Sequence, residues 1–346
     1  MTNDAIYESN FFNRLSDLSL YQIYLDNNIK INRNYLIKED KLKKIKIIID
    51  SEVKDIYGLF EKTNGLLDIN FIKFNRENIA NMKRIFLDCK SLNHLDITKL
   101  TTDNVANMTG LFCGCKNLKE LDLSNFKTNN VSDMRIMFHG CSSLKELNVS
   151  NFVTDNVQFM SYMFCECNLL KKLDLSNFKT NNVKVMDGMF GDCINLEELD
   201  LSNFETNNVT QMGHMFNRCS NLKRINITNF ITNNVTNMGS MFGGCISLKE
   251  LNISNFNTSN VIYMGWMFSG CSSLISLDVT HFNVNKVEDM NWMFSGCSSL
   301  TELKLFELNL NVIEDMNHMF SGCKKELKEK IKKLYTNLDN DAFLDE

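Results

Sequence analysis

The chain contains no proline, and alanine stands only at positions 5, 80, 106 and 342. Both residues draw on GC-rich codons while Asn, Ile and Lys are frequent, so this scarcity reflects an AT-rich genome more than any chemistry. Excess charge is missing too: 37 basic against 42 acidic residues leave −5 over 346 residues. That balance is too weak, and of the wrong sign, for a protein that grips nucleic-acid phosphates. No apolar run approaches the length of a membrane span. Asp4, Glu8 and Asp17 are spread through the first 25 residues, which lack the basic-then-apolar order of an export signal, so the expected compartment is the cytosol. Catalytic signatures are absent as well. Five histidines are scattered, and no phosphate loop, zinc-binding helix or nucleophile motif occurs, so neither a cofactor nor an enzymatic activity is expected.

What the sequence does have is a strict period. Ten cysteines stand at 89, 115, 141, 167, 193, 219, 245, 271, 297 and 323, every gap being 26 residues. A phenylalanine precedes each by three positions and a methionine by seven, from Phe86 and Met82 to Phe320 and Met316. A register held over this many units means an array or solenoid, which grows in one dimension without splitting into domains.

Within one unit, Val131, Met134, Met137, Phe138 and Cys141 fall on a stripe of roughly 120° if the segment is wound at 100° per residue, which predicts a short helix. Asn130 would cap its start, and Gly140 sits where a left-handed helix stop is wanted. Leu147 and Val149 then alternate with polar neighbours, which predicts a strand. The expected fold is therefore an α/β solenoid of about eleven units, a leucine-rich-repeat-like right-handed stack with a parallel sheet on one face and short helices on the other. The first unit precedes the first cysteine: Val53, Ile56, Leu59, Phe60, Leu66, Ile69, Phe71 and Phe74 keep register, with Thr63 in the cysteine slot.

The expected organisation is an N-terminal helical and strand cap over 1–50, the solenoid over 51–323, and a C-terminal capping helix with a short, loose acidic tail over 324–346. The N-terminal cap rests on Phe11, Phe12, Leu15 and Leu18 at helical spacing within Ser9–Leu25, and on an apolar strand at Ile45 and Ile47–Ile49. The C-terminal helix rests on Leu327, Ile331, Leu334 and Leu338.

Leu118-Lys-Glu-Leu121-Asp-Leu123 fits the L-x-x-L-x-L core of a leucine-rich repeat, although Asn125 comes one residue early and Phe126 takes the usual asparagine place. The whole unit, Leu121 to Met134 with Met137-Phe138 and Gly140-Cys141-Ser-Ser-Leu144, closely resembles the BspA-like family over residues 51–323. Those are leucine-rich-repeat surface proteins of bacteria, also expanded in some parasitic protists. The resemblance implies adhesion or host-protein binding at a cell surface, no cofactor and no fixed catalytic residues.

Four features are candidates for function. The cysteine ladder reads as small apolar filler of the core, reduced, although neighbouring cysteines could approach disulfide range. Cys113 and Cys165, the two extra cysteines, share a slot with His139 and would form an outward column of soft metal ligands. A metal-binding or redox function at these three residues is the alternative to a binding function. Their collinearity argues against a tetrahedral site, and no metal is expected.

Third, the slot that places Trp266 and Trp292 away from the apolar stripe marks a contact surface, with Tyr162 in the same slot and Tyr263 close by. Fourth, Asp122, Asp174 and Asp200 lie in an acidic row on the outer strand face, beside a lysine column from Lys119 to Lys249. Calcium there would need converging ligands. The asparagine columns, Asn104 to Asn260 and Asn125 to Asn255, read as structural. Together these point to a non-catalytic protein–protein interaction solenoid, adhesin-like or scaffold, with a protein partner, no nucleic acid and no membrane span.

Overall fold

A computed structural model describes residues 21–25, 29–31, 46–49, 56–63, 67–71, 79–307, 312–336 and 338–345. Its repeating feature is the run from the first methionine to the cysteine of each unit. This run is not the helix that its apolar spacing predicts. Two residues per unit have left-handed backbone, Trp266 at φ 61° and Gly270 at φ 71° in one unit, and the same two slots recur from Gly58 and Lys62 to His318 and Gly322. A right-handed helix cannot contain them.

Backbone N–H groups instead alternate between two destinations. Met267, Ser269 and Cys271 donate three residues back, to Met264, Trp266 and Phe268. Met264, Trp266, Phe268 and Gly270 donate to Asp289, Asn291, Met293 and Ser295 of the next unit at 2.6–2.9 Å. Each unit is thus a pair of β-turns with left-handed third residues, where glycine is favoured, and stacking these turns makes a ladder along the solenoid. One parallel bridge per unit, from Asn81 through Tyr263 to Asp315, fixes its register. Turns closed by three-residue bonds return side chains inward every three to four positions, as a helix does, which is why the apolar spacing alone reads as helical.

The core follows from that register. Phenylalanine rings stack from Phe60 to Phe320 with centroids 5.4–5.9 Å apart. The methionines of the turns and the ten repeat cysteines are buried beside them, apart from a partly exposed Met316. The unit before the first cysteine is in register: Thr63 is buried, and the Cys89 thiol reaches the Phe60 carbonyl at 2.9 Å.

On the opposite side the expected continuous parallel sheet is broken into three pairs among the described residues. Strand β4 (Asp68–Asn70) pairs with β5 (His94–Asp96), β6 (Glu198–Asp200) with β7 (Arg224–Asn226), and β8 (Ser276–Asp278) with β9 (Glu302–Lys304). Each pair carries a cross-strand polar contact: His94 Nδ1 with Asp68 at 2.8 Å, and the ion pairs Arg224 with Glu198 and Lys304 with Asp278 at 3.0 Å. Where Asp122 follows Asp96, like charges meet across the junction, which disfavours pairing.

Near the N-terminus, Tyr21–Leu25 (β1) lies between Ile29–Ile31 (β2) and Lys46–Ile49 (β3), antiparallel to both. Tyr21–Leu25 is therefore strand, not the end of a helix, and the apolar run at Ile47–Ile49 pairs with it antiparallel. Phe11, Phe12, Leu15, Leu18, Ile45, Val53, Leu66 and Phe74 lie outside the described residues. After Cys323 the helix α1 (Lys325–Leu334) buries Leu327 and Ile331, whereas Leu334, at its last position, is exposed and Leu338, packed against the core, lies beyond the helix.

The acidic tail is docked rather than loose. Its 3-10 turn, Asn340–Phe343, accepts the last rung's N–H groups: His318 donates to the Asp341 carbonyl and Phe320 to that of Ala342, each at 2.8 Å. Phe343 stacks on Phe320 at 5.2 Å, and the Gly322 N–H reaches the Asp345 carboxylate at 2.8 Å. The segment stands in for one further unit. No helix among the described residues is long and apolar enough to cross a membrane.

Candidate functional site

The left-handed slot two residues after the first methionine of each unit points its side chain out of the turn edge. Trp266 is 44% exposed there, Tyr162 37%, and Tyr263 in the bridging column is 48% exposed. The tryptophan side chains are thus outward for a reason other than a helix angle: they sit at the third corner of a β-turn. The left-handed strain at these residues recurs in every unit, so it belongs to the ladder and not to a site.

Along the edge the rings form a column. Trp266 and Trp292 stack at 4.8 Å and 12°, and Trp292 stacks on His318 at 4.2 Å and 16°. Trp292, covered on both faces, is only half-exposed. Small residues in the slot give space to large neighbours elsewhere: the Tyr162 ring lies where a Gly188 side chain would be, and Ile136 leans over Gly110. The column therefore brings Trp266, Trp292 and His318 together, with Tyr263 in the neighbouring bridging column of the Trp266 unit, and leaves Tyr162 four units away.

Cys113 and Cys165 do not form the exposed column expected of them. They are 8% and 6% exposed, although neither joins the hydrophobic core, and the Cys165 thiol lies against the next unit, 3.5 Å from where a Gly191 side chain would begin. Burial pushes the Cys113 thiol up to about 11 and the Cys165 thiol up to about 12, which suppresses the thiolate that metal binding or redox chemistry requires. Among the described residues no group of three or more His, Cys, Asp or Glu side chains is placed to hold a metal ion. All twelve cysteines are free.

On the strand face, Asp122, Asp174 and Asp200 are exposed and separate, and each closes a local turn. Their carboxylates accept the N–H groups of Ser124, Ser176 and Ser202 at 2.9–3.0 Å. The hydroxyl and N–H of Ser124 hold Asp122 below the usual carboxylate range, and the N–H and hydroxyl of Ser176 and of Ser202 do the same for Asp174 and Asp200. The slot alternates between Asp and Asn because both supply this acceptor: Asn148 receives the Ser150 N–H in the same way.

Two polar columns stitch unit to unit. The Asn177 amide donates to the Val149 and Phe152 carbonyls at 3.0 and 2.7 Å, and Asn182 to that of Asp155 at 2.7 Å, so these amides bond backbone of the preceding unit. His281 occupies the first of these slots and also reaches the unit before, at the Ile253 carbonyl. A buried threonine column, Thr102 to Thr258, escaped the sequence reading. Thr154 donates to the Lys179 carbonyl and accepts the Lys179 N–H, both at 2.8 Å. Its 26-residue recurrence was the signal; a polar residue at a fully buried position was not expected.

No sequence among the curated proteins matches the chain. A leucine-rich repeat protein from Bacteroides ovatus ATCC 8483 is similar at 18% identity and TM-score 0.45, over 77% of this chain and 68% of that one. A leucine rich cell surface protein from Faecalibacterium prausnitzii A2-165 is similar at 17% identity and TM-score 0.40, over 77% of this chain and 80% of that one. Residues 54–172, 140–226 and 218–334 each match the family described as "Mycoplasma protein of unknown function, DUF285". These overlapping matches span the ladder from its first turn to the C-terminal helix, and the chain belongs to the DUF285 family.

Proposed function

We propose that the chain is a non-catalytic solenoid that binds a protein partner, adhesin-like or scaffold, through the turn edge at Tyr263, Trp266 and Trp292. The observation that carries this reading is the stacked, outward pair Trp266–Trp292 at 4.8 Å on a rigid ladder. Large amphipathic rings held in place lose little entropy on binding and are favoured as interface anchors. Tyr162 and the strand-face residues Asp122, Asp174 and Asp200 lie outside that patch and would serve as secondary contacts. The segments 1–50 and 324–346 act in this reading as caps of a solenoid over 51–323, a role that the docked tail supports.

The test compares wild type with a Trp266→Ser, Trp292→Ser double variant against an array of purified proteins. Saturable capture of one partner by wild type, weakened at least tenfold in a variant with a nearly unchanged thermal transition, is the expected result. Capture that ignores the tryptophans, or a thermal transition that collapses with them, overturns it. The family resemblance favours display at a cell surface over a cytosolic location; protease shaving of intact cells decides between them.

A further inference from the structure

The column of rings on the turn edge ends at His318, and the support of that last ring comes from outside the repeat. Each earlier residue of the slot gives its N–H to the unit that follows, Trp266 to the Asn291 carbonyl and Trp292 to that of Asn317. No repeat unit follows His318. Its N–H goes instead to the Asp341 carbonyl of the tail at 2.8 Å, and its imidazole Nδ1 lies 3.2 Å from the Leu344 carbonyl. A carbonyl only accepts, so Nδ1 carries the proton, and the bond fixes the orientation of the ring. That ring stacks on Trp292 at 4.2 Å, nearer than Trp266 does at 4.8 Å.

The two carbonyls belong to exposed residues, Asp341 and Leu344, so their position depends on what anchors the tail. Phe343, between them, is buried and stacks on Phe320 at 5.2 Å. Two lysines of α1 hold the same residue: Lys328 donates to the Phe343 carbonyl at 3.2 Å, and Lys332 lies 4.5 Å from the centre of its ring. Lys328 also pairs with Asp345, whose carboxylate takes the Gly322 N–H at 2.8 Å. Contacts therefore run without a gap from α1 through Phe343 and Leu344 to His318, and from His318 to Trp292. Closing the core needs only the buried ring and the bonds to the last rung's N–H groups. The bond between Leu344 and the imidazole adds nothing to that closure and acts on the edge.

We propose that the C-terminal tail is a latch on the turn edge. Docked, it holds His318 against Trp292 and keeps the indole pair ordered for binding. Released, it frees His318 and uncovers one face of Trp292. An indole supported on one face only has to be ordered again by whatever binds it, which weakens binding. The link is reciprocal: a partner on the indoles tightens the docking of the tail by the same factor. The effect on binding rests on the reading of the turn edge as a binding surface; the movement of Trp292 does not.

The test uses the full chain and its own fluorescence, since Trp266 and Trp292 are the only tryptophans. Trp266→Phe keeps a ring in the column and leaves Trp292 as the sole indole; Trp292→Phe does the same for Trp266. Acrylamide quenching then reads each indole separately. Adding Phe343→Ala should raise the quenching constant of Trp292 at least twofold and barely move that of Trp266. His318→Ala should raise that of Trp292 as much, and the two together no more than either alone, because both cut one chain of contacts. Asp345→Asn, which leaves Phe343 in place, should give a smaller rise in the same direction. Circular dichroism confirms that each variant is folded at the assay temperature. No change at Trp292 in Phe343→Ala overturns the latch, and equal rises at both indoles mean general loosening and overturn it too. A partner from the double-tryptophan test should bind Phe343→Ala at least threefold more weakly; unchanged capture with Trp292 uncovered refutes the effect on binding and leaves the binding solenoid standing. With no tryptophan-dependent partner at all, the binding reading fails and takes that effect with it, while the quenching result still decides the movement of Trp292.

Discussion

The thiol of Cys167 donates to the carbonyl of Phe138 at 3.2 Å, 29 residues back along the chain and one unit back in the stack. The same contact joins every repeat cysteine from Cys89 to Cys323 to the phenylalanine carbonyl of the unit before. The cysteine is therefore more than apolar filler: it is a small donor that serves a second lone pair on a buried carbonyl.

A pH dependence follows. Burial raises these thiols, Cys89 and Cys271 to about 12, above the 9.0 of an unfolded thiol. The folded chain thus holds protons that the unfolded chain releases. The associated stability is fully present below pH 9 and is lost as pH rises from there through the folded values. Urea midpoints should be level from pH 7 to 8 and fall above 9, with a shallower fall in a Cys167→Ala, Cys193→Ala variant. Under denaturing, non-reducing conditions about twelve thiols should titrate, and hardly any in the native protein.

Thr154 tests the side-chain stitching. Thr154→Val keeps the shape but leaves the Lys179 N–H and carbonyl without their buried partner, at a cost of about 1–3 kcal/mol. Thr154→Ser, which keeps both bonds, should lose much less. Equal losses in the urea midpoint would mean that methyl packing, and not the hydroxyl, holds the junction.

Left-handed corners filled by residues other than glycine carry avoidable strain. Arg218 at φ 58° occupies a corner that is glycine in several units, and its ion pair with the half-buried Asp192 at 3.5 Å leaves the guanidinium largely in solvent. Arg218→Gly should raise stability by about 0.5–1 kcal/mol, because left-handed backbone costs more than an exposed pair contributes. Gly296→Val, at φ 70°, should lower it by more. Thermal midpoints of the two variants check the sign.

The period, the eleven-unit count and the identity of the core residues were legible in the sequence, because burial imposes a strict choice at Met, Phe and Cys in each unit. The helix was not. Apolar spacing of three and four is shared by helices and by stacked turns, and the discriminating signal was a second glycine slot, at Gly110 and Gly188, four residues before the recognised one. A helix angle would turn Trp266 outward, and it is outward without one; the same angle would expose Cys113 and Cys165, which are buried.

Phe343 tests the docked tail. Phe343→Ala should cost about 3 kcal/mol and speed hydrogen exchange at the His318, Phe320 and Gly322 amides, which the tail now covers, while amides near Phe164 keep their protection. Uniform acceleration along the array would show that the tail guards the whole fold and not its last rung.

That tail answers three N–H groups with a handful of residues and copies none of the repeat's side-chain pattern apart from one ring. Any unit that presents the same three donors would be closed equally well. Gain or loss of a 26-codon block inside the array leaves both ends chemically unaltered, so reach becomes a heritable quantity that can vary between lineages while the extremities stay constant. A partner that reads a few successive turns would then be met at different distances along the stack.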